Sequence, residues 1–434
     1  MELSIDVETY SDCPIKYGAQ RYVDDTTFEI LLFAYSFDDE PVEVIDMTKD
    51  PLPERVVDAL YNKEITKTAF NAAFEMLCLK KYFPDADYTN WECTSVLALY
   101  CSLPASLDNV SKALRLGEAK DARGKRLIQF FSVPRKPTKT NPKTRNMPED
   151  APEKWAEYIE YNRQDVVVEK AIRKRLLSLK PPAIEHEYWL LDQDINWRGV
   201  KVDMELVDAA LACNDEIVEE ATESSKILTG LENPNSTMQL KEWLTARLGY
   251  DLETMRKDDV SNLLAQDIPS DVRKVLQNRQ VLGNSSIKKY LAMKNAVCSD
   301  GRIHGMLQFY GAMRSGRWAG RVVQLQNLPR NYLEDLDTAR EVLKSRDVET
   351  LDLLYRNPGD VIKQLIRTAL VAEDGCRFIV ADFSAIEARV IAWLAHEQWR
   401  QDVFAQGGDI YCASASSVCH VPVEKLGVNG HLRQ

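Results

Sequence analysis

The run "ELSIDVETY", residues 2–10, places two carboxylates, Asp6 and Glu8, in a segment with the apolar content of a buried β-strand. Because side chains alternate across a strand, residues two apart lie on the same face of the sheet. Neighbouring carboxylates in a strand core repel each other and lose hydration unless a cation compensates them. The pattern therefore fits either a metal-binding strand face or a face that is open to water.

Two later segments carry further oxygen ligands. "TAFNAAFEMLCL" places Asn71 and Glu75 one helical turn apart, and "AEYIEYNRQDVVVEKAI" places Tyr161 and Asp165 on one helix face. Mg²⁺ prefers oxygen ligands, and a pair of divalent ions can activate water and stabilise the leaving oxygen of a phosphodiester. Taken in this order with the strand acids, these residues predict a two-metal site for phosphodiester cleavage.

The length of 434 residues is too great for one compact core and predicts two or three domains. Strand-like and helical runs alternate up to about residue 180, which is typical of a mixed α/β domain. The prolines in "LSLKPPAIEH" mark a boundary, and helical periodicity dominates residues 184–298. Strands are expected again from residue 300 onward. Among them we interpret "RFIVADFSA" as a buried strand that ends at Asp382, followed by an amphipathic helix in "AIEARVIAWLAHEQW".

Composition argues against a membrane protein and against a disulfide scaffold. No run of eighteen apolar residues occurs, the first residues are acidic rather than signal-like, and the nine cysteines form no CxxC pair. We therefore expect a reduced, cytoplasmic protein with no membrane partner. The net charge is −12, yet two acid-free basic stretches, Arg123–Arg145 and 301–332, indicate either nucleic-acid surfaces or simply solvated ones.

The acidic motifs resemble those of a known nuclease family. "SIDVET", "FNAAFEMLCL" and "YNRQD" are similar to the three motifs of the DEDD 3′–5′ exonucleases, in the branch that carries a tyrosine. The resemblance implies an RNase H-like fold in which two Mg²⁺ or Mn²⁺ ions are held by Asp6, Glu8, Glu75 and Asp165. It also implies that Tyr161 orients the attacking water. The family usually has aspartate where this chain has Glu75, whose carboxylate reaches one methylene further.

The C-terminal half resembles the family A DNA polymerases (the DNA polymerase I type), particularly those encoded by phages. "SGRWAG", "LQNLP" and "DFSAIEAR" carry the resemblance, and "WLLDQDINWRGVKVD" and "NSTMQLKEWL" are similar to thumb segments of that family. The implied order of domains is an exonuclease (1–180), a helical thumb (184–298), a partial α+β palm (299–397) and the start of the fingers (398–434).

The same resemblance implies a set of basic and amide side chains that contact primer–template DNA: Lys288, Lys289, Arg317, Gln326 and Asn327. Phosphate contacts of this kind are sensitive to salt.

Four further residues take roles near the incoming dNTP by this resemblance. Asp382 would be a catalytic metal ligand of the palm, and the Glu387 carboxylate would leave no room for a ribose 2′-hydroxyl. Tyr411 in "GGDIYCASA" would lie near the triphosphate, and Arg433 would begin the nucleotide-binding motif of the fingers.

The end of the chain, "HLRQ", leads to a further expectation. Only the first residue of that fingers motif is present, and the later motif that supplies a second palm aspartate is absent. We therefore expect a polymerase interrupted at Gln434 that extends no primer alone, and whose missing motifs could come from a second polypeptide. Two alternatives stay open: a free-standing DEDD exonuclease, including one that acts on RNA, or a non-catalytic DNA-binding remnant or assembly subunit. For a phage-encoded protein, the location would be the host cytoplasm.

Overall fold

The computed structural model describes residues 1–117, 124–139, 142–252, 254–283, 286–312 and 315–433, with the backbone alone at residue 257. Arg123, Arg314 and Gln434, on which some of the sequence expectations depend, lie outside these residues. The chain divides into two compact units, residues 1–372 and 373–434. The division falls inside the range expected for the palm, and the four domain ranges stay predictions.

The strands of the described residues are β1 (Glu2–Tyr10), β2 (Glu29–Phe37), β3 (Glu43–Asp46), β4 (Thr66–Ala69), β5 (Trp91–Cys93), β6 (Val200–Val202), β7 (Arg302–Ile303), β8 (Leu307–Ala312), β9 (Arg317–Gly320) and β10 (Leu370–Val371).

The α-helices of the first unit are α1 (Ala19–Asp24), α2 (Glu54–Tyr61), α3 (Ala72–Tyr82), α4 (Thr94–Tyr100), α5 (Leu107–Leu114), α6 (Gly124–Phe131), α7 (Pro152–Leu176), α8 (Ala183–Arg198), α9 (Met204–Thr229), α10 (Thr237–Leu248), α11 (Lys257–Leu264), α12 (Ser270–Leu282), α13 (Ile287–Ala296), α14 (Leu336–Lys344), α15 (Val348–Tyr355) and α16 (Pro358–Gln364). Those of the second unit are α17 (Ile386–Leu394), α18 (Gln398–Ala405) and α19 (Ile410–Cys419). Short 3₁₀ turns span Ile15–Tyr17, Pro148–Asp150, Leu177–Leu179, Leu325–Asn327, Leu365–Ala369 and Gly430–Arg433.

A five-stranded mixed sheet of order β3-β2-β1-β4-β5 organises the N-terminal part of the first unit. β1 is central, antiparallel to β2 and parallel to β4. Alternation along β1 sends Leu3, Ile5 and Val7 into the main core of the sheet, in which residues of α2 and α3 are also buried. Residues 6, 8 and 10 point to the opposite face, where α7 packs against β1 and β2. The predicted α/β fold is confirmed, and the acidic face of β1 is the one that α7 covers.

Helices dominate residues 184–298, as predicted, although the short strand β6 interrupts them. The long helix α9 packs against α12, α13 and α14. The ends of α10 follow from local chemistry: the Ser236 side chain accepts the Gln239 N–H, and Gly249 ends the helix with a φ of 81°. β6 pairs with β7 and β10, and β8 pairs with β9 in a separate hairpin.

The strand predicted in "RFIVADFSA" is wrong. Residues 376–383 have no regular structure, and the side chains of Ile379 and Val380 are 86% and 89% exposed. A strand needs a hydrogen-bonded neighbour, and no other described residue of the second unit is in a strand. The helix expected next is confirmed in two pieces, α17 and α18, separated near His396, whose φ is 54°.

Among the residues that the structure describes, no helix has both the length and the apolar composition to span a bilayer.

Candidate metal centre and nucleic-acid surface

Three carboxylates meet between β1 and α7. Asp6, Glu8 and Asp165 each offer one oxygen, and these oxygens all lie within 4.8 Å of one another. Glu8 and Asp165 are buried, and Asp6 is half-buried. Carboxylates this close repel one another, and burial weakens the hydration that would otherwise screen them. Oxygen donors in such a cluster fit a hard divalent cation such as Mg²⁺ or Mn²⁺. We call these three residues the metal centre.

Two side chains of α7 orient the carboxylates on β1. The Asn162 amide donates to Oδ2 of Asp6 at 2.7 Å, and the Tyr158 hydroxyl donates to Oε2 of Glu8 at 2.5 Å. Because Asp165 is on the same helix, the packing of α7 against β1 sets the geometry of the whole cluster.

Tyr161 lies one helical turn before Asp165, is buried, and is hydrogen-bonded to its carboxylate. Burial raises the pKa of the Tyr161 phenol above its usual value, and the charges of Glu8, Asp165 and Asp6 raise it further. The phenol therefore keeps its proton and remains a hydrogen-bond donor beside the metal centre. The shared helix face predicted for these two residues is confirmed in geometry.

Glu75, the fourth predicted ligand, is placed differently. It lies in the first turn of α3 and is buried, but its carboxylate is not part of the cluster within 4.8 Å. Its Oε2 has no hydrogen-bond partner among the described residues. Burial raises the pKa of Glu75 to about 8, and the nearby charges of Glu8 and Glu169 add to the shift. An orphaned, buried carboxyl beside the centre is consistent with a nearby cation, because positive charge would restore the ionised form.

Sequence reasoning missed several residues of this region: Ser132, Tyr158, Asn162 and Glu169. Glu169 is buried, and its Oε1 accepts the Thr94 hydroxyl at 2.5 Å. Burial raises the pKa of Glu169 to about 7. Tyr158, Asn162 and Glu169 lie three or four residues from Tyr161 or Asp165, so helical periodicity was the signal that could have found them.

The predicted primer–template residues Arg317, Gln326 and Asn327 are exposed, on β9 and on the 3₁₀ turn that follows it. The Gln326 side chain lies against β9, where a Cβ on Gly320 would be 2.2 Å from its Oε1. The backbone between the two elements is left-handed at Val322, with a φ of 58°, a strained conformation for a β-branched residue. The structure thus brings these polar side chains onto one short segment.

A partly buried contact with α8 supports that segment. The Trp318 indole N–H donates to Oδ1 of Asp192 at 2.8 Å, and burial raises the pKa of Asp192 to about 6. Sequence reasoning also missed this pair. Of the two lysines predicted to contact DNA, both on α13, Lys288 is exposed, whereas the Lys289 ammonium donates to the Val323 carbonyl at 3.1 Å.

In the second unit, Asp409 brings two predicted nucleotide-binding residues together. Its carboxylate caps α19 by accepting the Tyr411 N–H at 2.9 Å, and it accepts Nε of Arg433 at 3.0 Å. The Arg433 guanidinium lies 5.4 Å from the centre of the Tyr411 ring. Asp382 is exposed in the irregular segment, and Glu387 is exposed in the first turn of α17.

Comparison with known proteins gives consistent results. Residues 205–433 match the family model described as DNA polymerase family A. The DNA polymerase of Bacillus phage SP02 is 49% identical over 440 residues, which cover 100% of this chain and 67% of that protein. DNA polymerase I of Streptococcus pneumoniae serotype 4 is 27% identical over 230 residues, 51% of this chain and 23% of that protein.

A solved structure has a similar fold. It is the POL domain of Pol1 from M. smegmatis in complex with DNA primer-template and dNTP, with a TM-score of 0.60 and 17% sequence identity. The match covers 99% of this chain and 65% of that one. The chain therefore spans about two thirds of the length of the phage relative and of this structural neighbour.

Proposed function

Because the chain belongs to DNA polymerase family A, we propose that residues 1–180 form a 3′–5′ exonuclease that removes nucleotides from single-stranded 3′ ends of DNA. One observation carries the proposal. Asp6, Glu8 and Asp165 come within 4.8 Å of one another, next to the buried phenol of Tyr161. Three clustered carboxylates with a neutral donor beside them suit hydrolysis of a phosphodiester.

The metal centre would hold Mg²⁺ or Mn²⁺ through Asp6, Glu8 and Asp165. Divalent ions in such a site lower the pKa of bound water and stabilise the oxygen that leaves. The chain itself contributes orientation. Asn162 and Tyr158 hold the two carboxylates of β1. Tyr161 keeps its proton, which it donates to Asp165, and its oxygen can orient an attacking water by accepting a hydrogen bond.

The rest of the chain is proposed to bind primer–template DNA and dNTP as parts of a thumb, palm and fingers. The exposed positions of Lys288, Arg317, Gln326 and Asn327 support the DNA contacts. Lys289, whose ammonium donates to the Val323 carbonyl, is proposed to take part in the same DNA contacts. The complex of the structural neighbour with primer-template and dNTP is consistent with both ligands.

The proposed dNTP binding is supported by Asp409, which accepts hydrogen bonds from both Arg433 and Tyr411. Asp382 is proposed as a palm metal ligand and Glu387 as the group that excludes a 2′-hydroxyl.

A second polypeptide that supplies further motifs, and a location in the host cytoplasm, stay predictions. A free-standing exonuclease or a non-catalytic remnant is not favoured, because the family match covers residues 205–433.

A nuclease assay tests the exonuclease. A 5′-labelled single-stranded oligonucleotide is incubated with the protein and Mg²⁺ or Mn²⁺, and we expect stepwise shortening from the 3′ end that EDTA stops. Asp6→Ala should abolish it. Asp39→Ala, in the exposed turn between β2 and β3, is the matched control and should retain wild-type activity. Failure of the wild-type chain to degrade DNA with either metal, or undiminished degradation by Asp6→Ala, would reject the proposal.

A further inference from the structure

Two buried hydroxyl groups, those of Ser132 and Tyr158, form a hydrogen-bonded chain that ends at the Glu8 carboxylate of the metal centre. The Tyr158 hydroxyl donates to Oε2 of Glu8 at 2.5 Å and lies 2.7 Å from the Ser132 hydroxyl, directly after α6. A phenol has a single proton, so Ser132 must donate its own proton to the oxygen of Tyr158. The direction of every hydrogen bond from Ser132 to Glu8 is therefore determined.

The ring of Tyr158 is held so that its hydroxyl cannot turn away. Its side chain is 0% exposed. The ring stacks between those of Phe131 and Tyr161, with centroid distances of 5.5 and 6.0 Å and interplanar angles of 14° and 15°. Trp155 packs against its edge at 5.9 Å. Close packing on three sides leaves the phenol no alternative rotamer without displacing its neighbours.

The consequence falls on Glu8. A free glutamate side chain rotates about three bonds, and a metal ligand must give up that freedom when it binds an ion. A charge-assisted hydrogen bond from a rigid phenol to one carboxylate oxygen removes much of that freedom in advance. The carboxylate keeps acceptor capacity on both oxygens for a cation.

We propose that Tyr158 is a positioning residue of the metal centre, which holds the Glu8 carboxylate in the orientation that binds a divalent ion. Ser132 supports it by fixing the direction of the phenol proton. Tyr161, one turn later on α7, stays the residue that faces the reaction. The proposed effect of Tyr158 on metal affinity does not depend on catalysis. Its effect on the rate of degradation rests on the proposed exonuclease function.

The test is the variant Tyr158→Phe, which keeps the aromatic stack and removes only the hydroxyl. Mn²⁺ binding is measured by electron paramagnetic resonance of the free ion, and the component lost in Asp165→Asn defines the metal centre. Loss of a residue that orients a metal ligand typically weakens binding about 10–100-fold, which is the shift we expect. Exonuclease activity should recover substantially at saturating Mn²⁺, because the defect lies in metal affinity.

Two further variants separate positioning from general damage. Tyr290→Phe removes another buried hydroxyl, which donates to the Ile362 carbonyl at 2.8 Å, and should leave Mn²⁺ binding unchanged. Ser132→Ala should weaken binding less than Tyr158→Phe does. The double variant of Ser132 and Tyr158 should bind Mn²⁺ as Tyr158→Phe alone does, since Ser132 acts only through the phenol.

The outcomes are distinct. Wild-type Mn²⁺ affinity in Tyr158→Phe overturns the proposal. Should that variant fail to fold by circular dichroism, wild-type affinity in Ser132→Ala overturns it instead. If Tyr158→Phe weakens Mn²⁺ binding but the wild-type chain never degrades DNA, the positioning role stands and the exonuclease proposal fails.

Discussion

Gly124 lies directly against the ring of Tyr161: a Cβ at residue 124 would be 2.0 Å from Cε2 of that ring. The first residue of α6 therefore has to be glycine for the tyrosine beside the metal centre to keep its place. The constraint comes from packing, because a methyl group and the ring would occupy the same space.

Gly124→Ala should displace Tyr161 and slow 3′ degradation by about 100-fold, since small misplacements of a reacting or orienting group are costly. Overpacking should also lower the free energy of unfolding by about 1–3 kcal/mol. Single-turnover degradation and urea unfolding measure the two effects. Gly117→Ala is the matched control, because no heavy atom of the described residues lies within 4 Å of a Cβ at that residue. Equal rates in the two variants would contradict the packing argument.

Asp165 and Glu75 should behave differently when neutralised. Asp165→Asn removes a member of the cluster and should eliminate Mn²⁺ binding at the metal centre. Glu75→Gln should weaken binding by less than about 10-fold, because its carboxylate lies outside the cluster and acts on it only through neighbouring groups. Titration of both variants with Mn²⁺ checks the difference. Equal losses would instead make Glu75 a full ligand.

Glu169 should make the metal-free protein less stable as the pH rises. Its pKa is raised from 4.5 to about 7 by burial, so its contribution is fully present below about pH 4.5 and is lost as the pH passes through 7. The shift corresponds to about 3 kcal/mol. Glu169→Gln keeps an acceptor for Thr94 but cannot titrate. Its free energy of unfolding should therefore fall less between pH 5 and 8 than that of the wild type.

Urea unfolding in EDTA at the two pH values measures this difference. Glu153→Gln, an exposed change on the same helix, should follow the wild type. A Glu169→Gln variant that loses as much stability with pH as the wild type would show that Glu169 does not titrate in this range.

Asp192 should support DNA binding without touching DNA. Asp192→Ala leaves the Trp318 indole N–H unpaired, at a cost of about 1–3 kcal/mol to the local structure, and should loosen the strand that carries Arg317. We expect primer–template affinity, measured by fluorescence anisotropy, to fall about 3–10-fold. A tenfold loss corresponds to about 1.4 kcal/mol, which does not exceed the cost of the unpaired N–H. The salt dependence should keep its slope, because no phosphate contact is removed.

Two controls accompany this measurement. Asp192→Asn retains an acceptor for Trp318 and should bind almost normally, and Asp194→Ala, exposed on the same helix, should be neutral. Equal weakening by Asp194→Ala would point to charge rather than to the position of Trp318.

Local patterns predicted much of the first unit. Alternation predicted β1 with Asp6 and Glu8 on one face, and helical periodicity placed Tyr161 and Asp165 together on α7. The Ser and Gly at the ends of α10 were also predictable, since capping depends on neighbours in sequence. Local apolar content misled us at 377–382, because a strand forms only where another strand is available to pair with it.

The C-terminal motifs were enough to recognise the resemblance to DNA polymerase family A, and the order of acids and tyrosine selected Asp6, Glu8, Glu75 and Asp165 as candidate ligands. These are properties of residue type and periodicity, which the sequence contains directly. Tertiary structure alone decided that Glu75 stands apart from the cluster and that Tyr158 holds Glu8. Distances between residues far apart in sequence depend on how helices pack on the sheet, and close packing of many side chains sets them together.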